Sequence, residues 1–268
     1  MQAKKLFAAL LALALGASLP AQERSFDHSH EQWTEVLGAH LSKDRFDYGA
    51  LLAKREGFNR YIKALESVEA QEFKTWDAPQ RHAYWINAYN AFTVQLIADH
   101  YGPKEQRLKS ILDIGTAAEG TWDQRFIALE HLHPLEGQHR LSLNDIEHKI
   151  LRPGLKDPRV HAAVNCASVG CPPLAKEAFT FKNLDAALER QVKQWLRDPL
   201  RNKIHREQKT LRLSKIFEWY AEDFPQEKQA FGDWLAKFAV PEFSEWLATG
   251  DFQVLFLEYD WTLNDVLR

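Results

Sequence analysis

The sequence predicts an α+β fold: a helix-rich single domain with a long buried central helix and a small, mainly antiparallel sheet. Three observations lead to this prediction. Residues 78–101 carry apolar side chains around almost the whole helical cylinder, which is typical of a helix buried on most sides. Residues 160–165 have the small and β-branched side chains of a buried strand. Apolar spacing typical of helices recurs before and after these two segments.

The central helix has clear sequence signals at both ends. Asp77 is followed three residues later by Gln80, the pattern of a capping box, and Pro79 stands in the first turn. Gly102 and Pro103 end the apolar periodicity. The helix is therefore expected to span residues 78–101.

Two asparagines, Asn87 and Asn90, lie three residues apart on one face of this helix. A buried amide costs free energy unless its donors and acceptors are matched. The pair therefore either holds a neighbouring loop or donates hydrogen bonds to a substrate carbonyl.

The other elements follow from local periodicity and turn residues. Aromatic residues are dense between positions 219 and 261, and we favour a core role for them over a role as cleft lining. The remaining predicted elements are helices over 32–41 and 51–65, a β-hairpin within 126–143, a helix framed by Ser142 and Asp145 and ended by Pro153 and Gly154, a helix over 184–196, a strand over 210–213, a helix over 214–220 and a closing strand over 252–259.

The first residues resemble an export signal. Lys4 and Lys5 precede an apolar run over 6–15, and small residues follow up to Ala21. We expect a signal peptide over residues 1–21, a single domain over 22–268, a periplasmic or secreted location and no stable membrane insertion after cleavage. Loss of the two lysines would change the net charge from −3 to −5. Clustered Lys and Arg occur only over residues 197–206, which we interpret as a solvated helix end, so the charge argues against a nucleic-acid partner.

His161 and both cysteines of the chain, Cys166 and Cys171, fall within a stretch of eleven residues. In an oxidising compartment the two cysteines are disulfide candidates, and this structural role competes with a free nucleophilic thiol. In a strand, residue alternation places Cys166 on the face opposite His161. Only a turn beginning at Asn165 or Cys166 would bring the thiol back toward the imidazole.

Glu147 falls on the apolar stripe of its predicted helix. A carboxylate in that position must be paired, hydrogen-bonded or shifted in pKa. It would orient a histidine or act as a general base, or else form a salt bridge with Arg152 or Arg159.

Several segments together resemble the domain of unknown function family numbered 547, in order along nearly the whole chain after residue 21. They are residues 46–48, 84–91, 141–148, 161–172, 219–224 and 259–264. The resemblance points to Asn87, Asn90, Glu147, His161, Asn165, Cys166, Cys171 and Pro172 as shared positions, and it implies no assigned activity. In outline, a long buried helix followed by a strand with a histidine is also distantly similar to the papain and transglutaminase-like architecture, although no cysteine begins the helix here.

We favour a thiol-dependent enzyme that acts on an amide, a thioester or a disulfide in a small-molecule or peptide substrate of the cell envelope, with no cofactor. In this hypothesis Cys166 attacks, His161 accepts the proton, Glu147 orients the imidazole, and Asn87 or Asn90 donates to the oxyanion.

Two alternatives stay open at this point. The first is a non-catalytic envelope binding module with a structural Cys166–Cys171 disulfide. The second is a metal site formed by His161, Cys166, Cys171 and Glu147, although their spacing matches no standard zinc pattern.

Overall fold

The computed structural model describes residues 25–116 and 118–267. The expected signal peptide over residues 1–21 lies outside this range. In the part of the chain that is described, no helix is both long enough and apolar enough to cross a membrane.

The described chain is helix-rich with two small sheets, which confirms the predicted α+β class. Its helices are α1 (Glu31–His40), α2 (Tyr48–Ala53), α3 (Glu56–Glu66), α4 (Ala70–Thr75), α5 (Ala78–His100), a π-helical segment (Asp145–Leu151) continued by α6 (Arg152–Leu155), α7 (Val160–Ala163), α8 (Leu184–Leu196), α9 (Ile216–Trp219), α10 (Lys228–Ala236) and α11 (Pro241–Leu247). Short 3-10 turns span Lys104–Gln106, Ile111–Ile114, Thr121–Asp123 and Ala221–Asp223. The strands are β1 (Leu41–Ser42), β2 (Arg45–Phe46), β3 (Lys203–His205), β4 (Thr210–Leu213) and β5 (Gln253–Phe256).

Helix α5 is the predicted central helix, and it is buried on most sides. Its capping box is complete: the Asp77 carboxylate accepts from the Gln80 backbone N–H, and the Gln80 side chain accepts from the Asp77 backbone N–H, both at 2.8 Å. Helix α8 has the predicted bounds. The single helix predicted over 51–65 is instead two helices, α2 and α3, with a break at Lys54 and Arg55.

The sheets are small. Strands β1 and β2 pair antiparallel, as do β3 and β4, whereas β5 adds to β4 in parallel. Strand β4 has the predicted bounds, and β5 is a shorter form of the predicted closing strand. The hairpin predicted within residues 126–143 is reduced to one antiparallel bridge between Ile127 and Leu141.

The predicted strand over residues 160–165 is wrong, because Val160–Ala163 form the short helix α7. The Asp157 and Pro158 carbonyls start a turn by accepting from the N–H groups of Val160 and His161. Small and β-branched side chains suit a buried helical turn as well as a buried strand, so the turn decides the conformation. The distant similarity to the papain-like architecture depended on a histidine in a strand. Because His161 lies in a helix, this similarity is no longer supported.

The apolar core forms two clusters. The larger one surrounds α5, and the smaller one lies between α8, β4 and α9–α11. In the smaller cluster, Trp195 stacks on Phe217 with ring centroids 4.5 Å apart. Residues 160–164 contribute to both clusters, since Val160 belongs to the larger and Ala162 to the smaller.

A segment that we call the strap, residues 259–266, runs across the bend that follows α7. Its backbone is tied to that bend and to β2 over long sequence separations. The hydrogen bonds are Gly170 N to Asp260 O at 2.8 Å, Val169 N to Thr262 O at 2.8 Å, Asn264 N to Ala167 O at 2.9 Å and Phe46 N to Asn264 O at 2.8 Å. Gly170 permits this close approach, because a Cβ there would lie 2.9 Å from the Asp260 nitrogen.

The side chain of Asn90 ties α5 to the end of α7. Its Nδ2 donates to the Ala163 carbonyl at 2.9 Å, and its Oδ1 accepts from the Asn165 backbone N–H at 2.8 Å. Asn165 in turn donates to the Pro172 carbonyl at 2.7 Å and accepts from the Ala167 N–H at 2.8 Å. All these groups are inaccessible to water or nearly so, and the two asparagines therefore fix the path of residues 163–172.

We expect Asn90→Ala to lower the free energy of unfolding by roughly 2–4 kcal/mol, because it leaves a buried N–H and a buried C=O without partners. Urea denaturation monitored by circular dichroism measures this change. The matched control is Asn59→Ala on the exposed side of α3, which should change stability by about 0.5 kcal/mol or less. Equal effects of the two substitutions would contradict the role assigned to Asn90.

Candidate active site

A cavity of about 190 Å³ opens beside the bend that follows α7. Its polar lining residues are Asn144, Glu147, His161, Cys166 and Cys171. Its aromatic lining residues are Tyr89, Trp122, Trp219, Tyr220, Tyr259 and Trp261, with Val164 and Ile216 completing the wall. The structure thus brings Glu147, His161 and both cysteines to one cavity.

The Cys166 thiol is partly exposed and contacts two hydroxyl groups. Its Sγ lies 3.2 Å from Ser168 Oγ and 3.2 Å from the Tyr259 hydroxyl. The Ser168 hydroxyl donates to the Tyr259 oxygen at 3.0 Å, which leaves the Tyr259 O–H free to donate to the sulfur. The next residue, Ala167, has a positive φ of 59°, a conformation that is uncommon for a residue with a side chain and that makes the bend sharp.

Cys166 and Cys171 are both free thiols, so the disulfide that the sequence allows is absent from this structure. The Cys166 backbone N–H donates to Cys171 Sγ at 3.1 Å. A hydrogen bond from the Cys171 thiol, helped by the Ser168 and Tyr259 hydroxyls, lowers the pKa of Cys166 to about 7 against the opposing effect of burial. Burial raises the pKa of Cys171, which is only 3% exposed. Cys166 is therefore the thiol that ionises near neutral pH.

The His161 ring is fixed by Asp223 and Tyr220. Its Nε2 lies 2.7 Å from Asp223 Oδ2, and its ring stacks on Tyr220 with centroids 4.1 Å apart. Because a carboxylate can only accept, we assign the proton to Nε2, which leaves a lone pair on Nδ1. Burial lowers the pKa of His161 despite the nearby charge of Glu147. The imidazole is therefore neutral near pH 7 and able to accept a proton.

Asp223 is itself held by Arg152, whose Nε and a terminal nitrogen donate to its two oxygens at 2.6 and 3.0 Å. Burial raises the pKa of Asp223, but the hydrogen bonds from Arg152 and His161 outweigh it and keep this pKa below its usual value. Asp223 is thus the ionised partner of the histidine.

His161 and Cys166 line the same cavity, but within the described residues no hydrogen bond joins them. The bend after α7 brings the thiol to the cavity that His161 lines, and it follows a helix and not a strand. A substrate group in the cavity would contact both side chains.

Glu147 does not orient His161. It lies in the π-helical segment, a helix type that often marks functional sites, and its Oε2 accepts from the Tyr89 hydroxyl at 3.0 Å. The alternative salt bridges are not formed either, because Arg152 pairs with Asp223 and Glu222, and Arg159 pairs with Asp157 and Asp185. Glu147 thus lines the cavity without either of the partners that the sequence suggested.

Asn87 and Asn90 do not line the cavity. Asn90 binds the main chain of residues 163–165, as described above. Asn87 donates to the Phe179 carbonyl at 2.7 Å and accepts from the Phe179 N–H at 3.1 Å. Their positions do not fit the expected role at an oxyanion and agree with the loop-holding alternative.

The proposed metal ligands do not form a metal-binding cluster. Among the residues that the structure describes, no group of three or more His, Cys, Asp or Glu side chains is arranged to hold a metal ion. His161, Cys166 and Glu147 contact Asp223, Tyr259 and Tyr89, respectively, and Cys171 Sγ accepts from the Cys166 N–H.

The sequence patterns do not indicate the roles of Asp223, Tyr259 and Ser168. Asp223 and Tyr259 stand in segments that carried the family resemblance, but they lie 62 and 93 residues from their partners. The aromatic residues divide into two groups. Trp234 and Phe252 are in the core as expected, whereas the aromatic residues at 219, 220, 259 and 261 line the cavity.

The sequence profile of a family described as "Protein of unknown function, DUF547" matches residues 73–196. This range includes Glu147, His161 and both cysteines, and it ends before Asp223 and the strap. A search of curated proteins and a search of solved structures give no match to the chain. The match confirms the resemblance to the domain of unknown function family 547 over residues 73–196.

Proposed function

We propose that the protein is a thiol-dependent acyl-transfer enzyme of the cell envelope, which hydrolyses or transfers an amide or thioester group. The observation that supports this proposal most is the Cys166 thiol, whose pKa is lowered to about 7 in a cavity that also holds the neutral His161. A nucleophile and a base at one cavity, with the base positioned by a carboxylate, are the groups that nucleophilic catalysis uses.

The proposed reaction has two steps. In the first, Nδ1 of His161 accepts the Cys166 proton, the sulfur forms a bond to the acyl carbon, and the bond to the leaving amine or thiol breaks as His161 returns the proton to it. In the second, water or an acceptor amine attacks the thioester, His161 takes the proton of the attacking group, and the sulfur leaves as thiolate and recovers its proton.

Tyr259 supports the stabilisation of the oxyanion in this proposal. Its hydroxyl donates to the Cys166 sulfur before attack. During attack the negative charge moves from the sulfur to the substrate oxygen, and the same hydroxyl is then placed to donate to that oxygen. This assigns to Tyr259 the role that the sequence suggested for Asn87 or Asn90.

Acyl chemistry is favoured over thiol-disulfide exchange because of Cys171. Exchange requires a second thiol that attacks a mixed disulfide, and the rate depends on its accessibility and its thiolate fraction. Cys171 is buried, and burial raises its pKa. The envelope location in the proposal rests on the predicted signal peptide alone.

We expect the rate of Cys166 alkylation by iodoacetamide to rise with pH, with a midpoint near pH 7, because the thiolate is the reactive form. Cys171→Ala should move the midpoint upward, toward the ordinary value of 9.0, because it removes the main hydrogen bond to the sulfur. Mass spectrometry at several pH values locates the label and gives its rate.

Cys166→Ser is the control, and it should abolish labelling while the fold is retained. A wild-type midpoint near pH 9, or labelling of Cys171 in its place, would exclude Cys166 as an activated nucleophile. A native protein that lacks two hydrogens and is not labelled before reduction would favour the disulfide-containing binding module.

We expect p-nitrophenyl acetate to give a burst of p-nitrophenol and an acetyl group on Cys166. In Asp223→Asn, the later hydrolysis of this thioester should slow by roughly 10²-fold or more, because His161 loses the carboxylate that fixes its tautomer. Stopped-flow absorbance and mass spectrometry measure the two steps.

The matched control is Glu222→Gln, which also removes a carboxylate that contacts Arg152 but does not touch His161. This variant should hydrolyse the acetyl group at nearly the wild-type rate. Equal rates in Asp223→Asn and Glu222→Gln would disprove the role of Asp223.

A further inference from the structure

The Glu147 carboxylate lines the cavity without a cationic partner in the described part of the chain. It is 5% exposed, and its Oε2 accepts from the uncharged Tyr89 hydroxyl. Its charge contributes, after burial, to raising the pKa of Tyr89 and of Tyr220. A buried charge that is compensated only by hydroxyl groups is costly unless an opposite charge approaches it.

Two other carboxylates near the site are compensated. Asp145 forms ion pairs with Arg125 and Lys149, and Asp223 forms one with Arg152. The guanidinium of Arg152 also pairs with Glu222. The basic residues nearest to the cavity are therefore already paired, and none of the residues that line the cavity is a lysine or an arginine.

His161 does not supply the missing positive charge, because burial lowers its pKa and keeps the ring neutral near pH 7. The Cys166 thiol, when ionised, adds a second negative charge to the same cavity. An anionic substrate group would thus meet repulsion, and a cationic group would be attracted.

The wall of the cavity is suited to a cation. Trp219 stacks on Trp261 with centroids 5.6 Å apart, Trp122 meets Trp261 edge-on at 5.7 Å, and Tyr259 lies 4.5 Å from Trp261. Trp219 is 46% exposed, an unusual position for so large an apolar side chain. Faces of tryptophan and tyrosine attract ammonium groups, most strongly where water is excluded.

We infer that the substrate carries an ammonium group, which binds between Glu147 and the aromatic wall formed by Trp122, Trp219, Tyr259 and Trp261. The cavity of about 190 Å³ is large enough for an aminoalkyl or trimethylammonium group. The inference rests on the proposed function only in placing the acyl carbon at Cys166.

The test uses the whole protein at pH 7 and two cation and neutral pairs: choline against 3,3-dimethylbutanol, and n-butylammonium against 1-butanol, at constant chloride. Titration calorimetry, with tryptophan fluorescence as a second signal, gives each dissociation constant. At least one cation should bind about tenfold or more tightly than its neutral counterpart. The tighter of the two cations indicates a quaternary or a primary ammonium substrate.

Glu147→Gln keeps an acceptor for Tyr89 and removes the charge. It should weaken cation binding about tenfold or more and leave binding of the neutral compounds unchanged, which also serves as a check on folding. Glu136→Gln, at an exposed position without an ion pair in the described chain, is the matched control and should bind like wild type.

The inference is overturned by equal binding of cations and neutral compounds, by cation binding that Glu147→Gln does not weaken, or by the absence of saturable binding of both cations up to ~50 mM, the range of single-group ligands. If Cys166 is not acetylated but the cations bind, the proposed function alone is rejected. If Cys166 is acetylated but the cations do not bind, the substrate class alone is rejected.

Discussion

The two hydrogen bonds between the Asn90 side chain and the main chain of residues 163–165 are the interaction on which the rest of the site depends. They connect the central helix α5 to the bend that carries the Cys166 thiol. The bend includes a residue with a left-handed backbone conformation, Ala167, and such a conformation persists only where the surroundings hold it in place. Hydrogen bonds from Asn90, Asn165 and the strap hold the bend in place.

The cavity itself is lined by the negative charge of Glu147, whereas the charged side chains around it form ion pairs with one another. Arg152 links the two sides, because its guanidinium lies against the Tyr220 ring at 5.1 Å while it binds Asp223 and Glu222. The histidine is thereby given a carboxylate that stays ionised, and among the described residues no lysine or arginine lines the cavity beside the thiol. Reactivity of the thiol and selection of a substrate by charge therefore arise from the same group of side chains.

Local sequence patterns predicted much of the fold, and long-range contacts account for what they missed. The capping box at Asp77 and the periodicity of α8 depend on residues a few positions apart, so the sequence displays them directly. The segment over 160–165 was assigned to a strand because its small and β-branched side chains suit either conformation, and the turn at Pro158 decided the outcome. The cysteines and His161 were brought to one cavity as expected. Asp223 and Tyr259 could not be assigned to them, since no local pattern shows which distant side chain contacts a given ring or thiol.

The strap has a consequence for the order in which the chain becomes functional. Tyr259 follows Cys166 by 93 residues, and ribosomes add on the order of 5–20 residues per second. For several seconds of synthesis the cysteine is therefore present without the hydroxyl group that completes its surroundings. Until residue 259 has been added, the Cys166 thiol lacks one of the hydroxyl groups that lower its pKa in the folded protein.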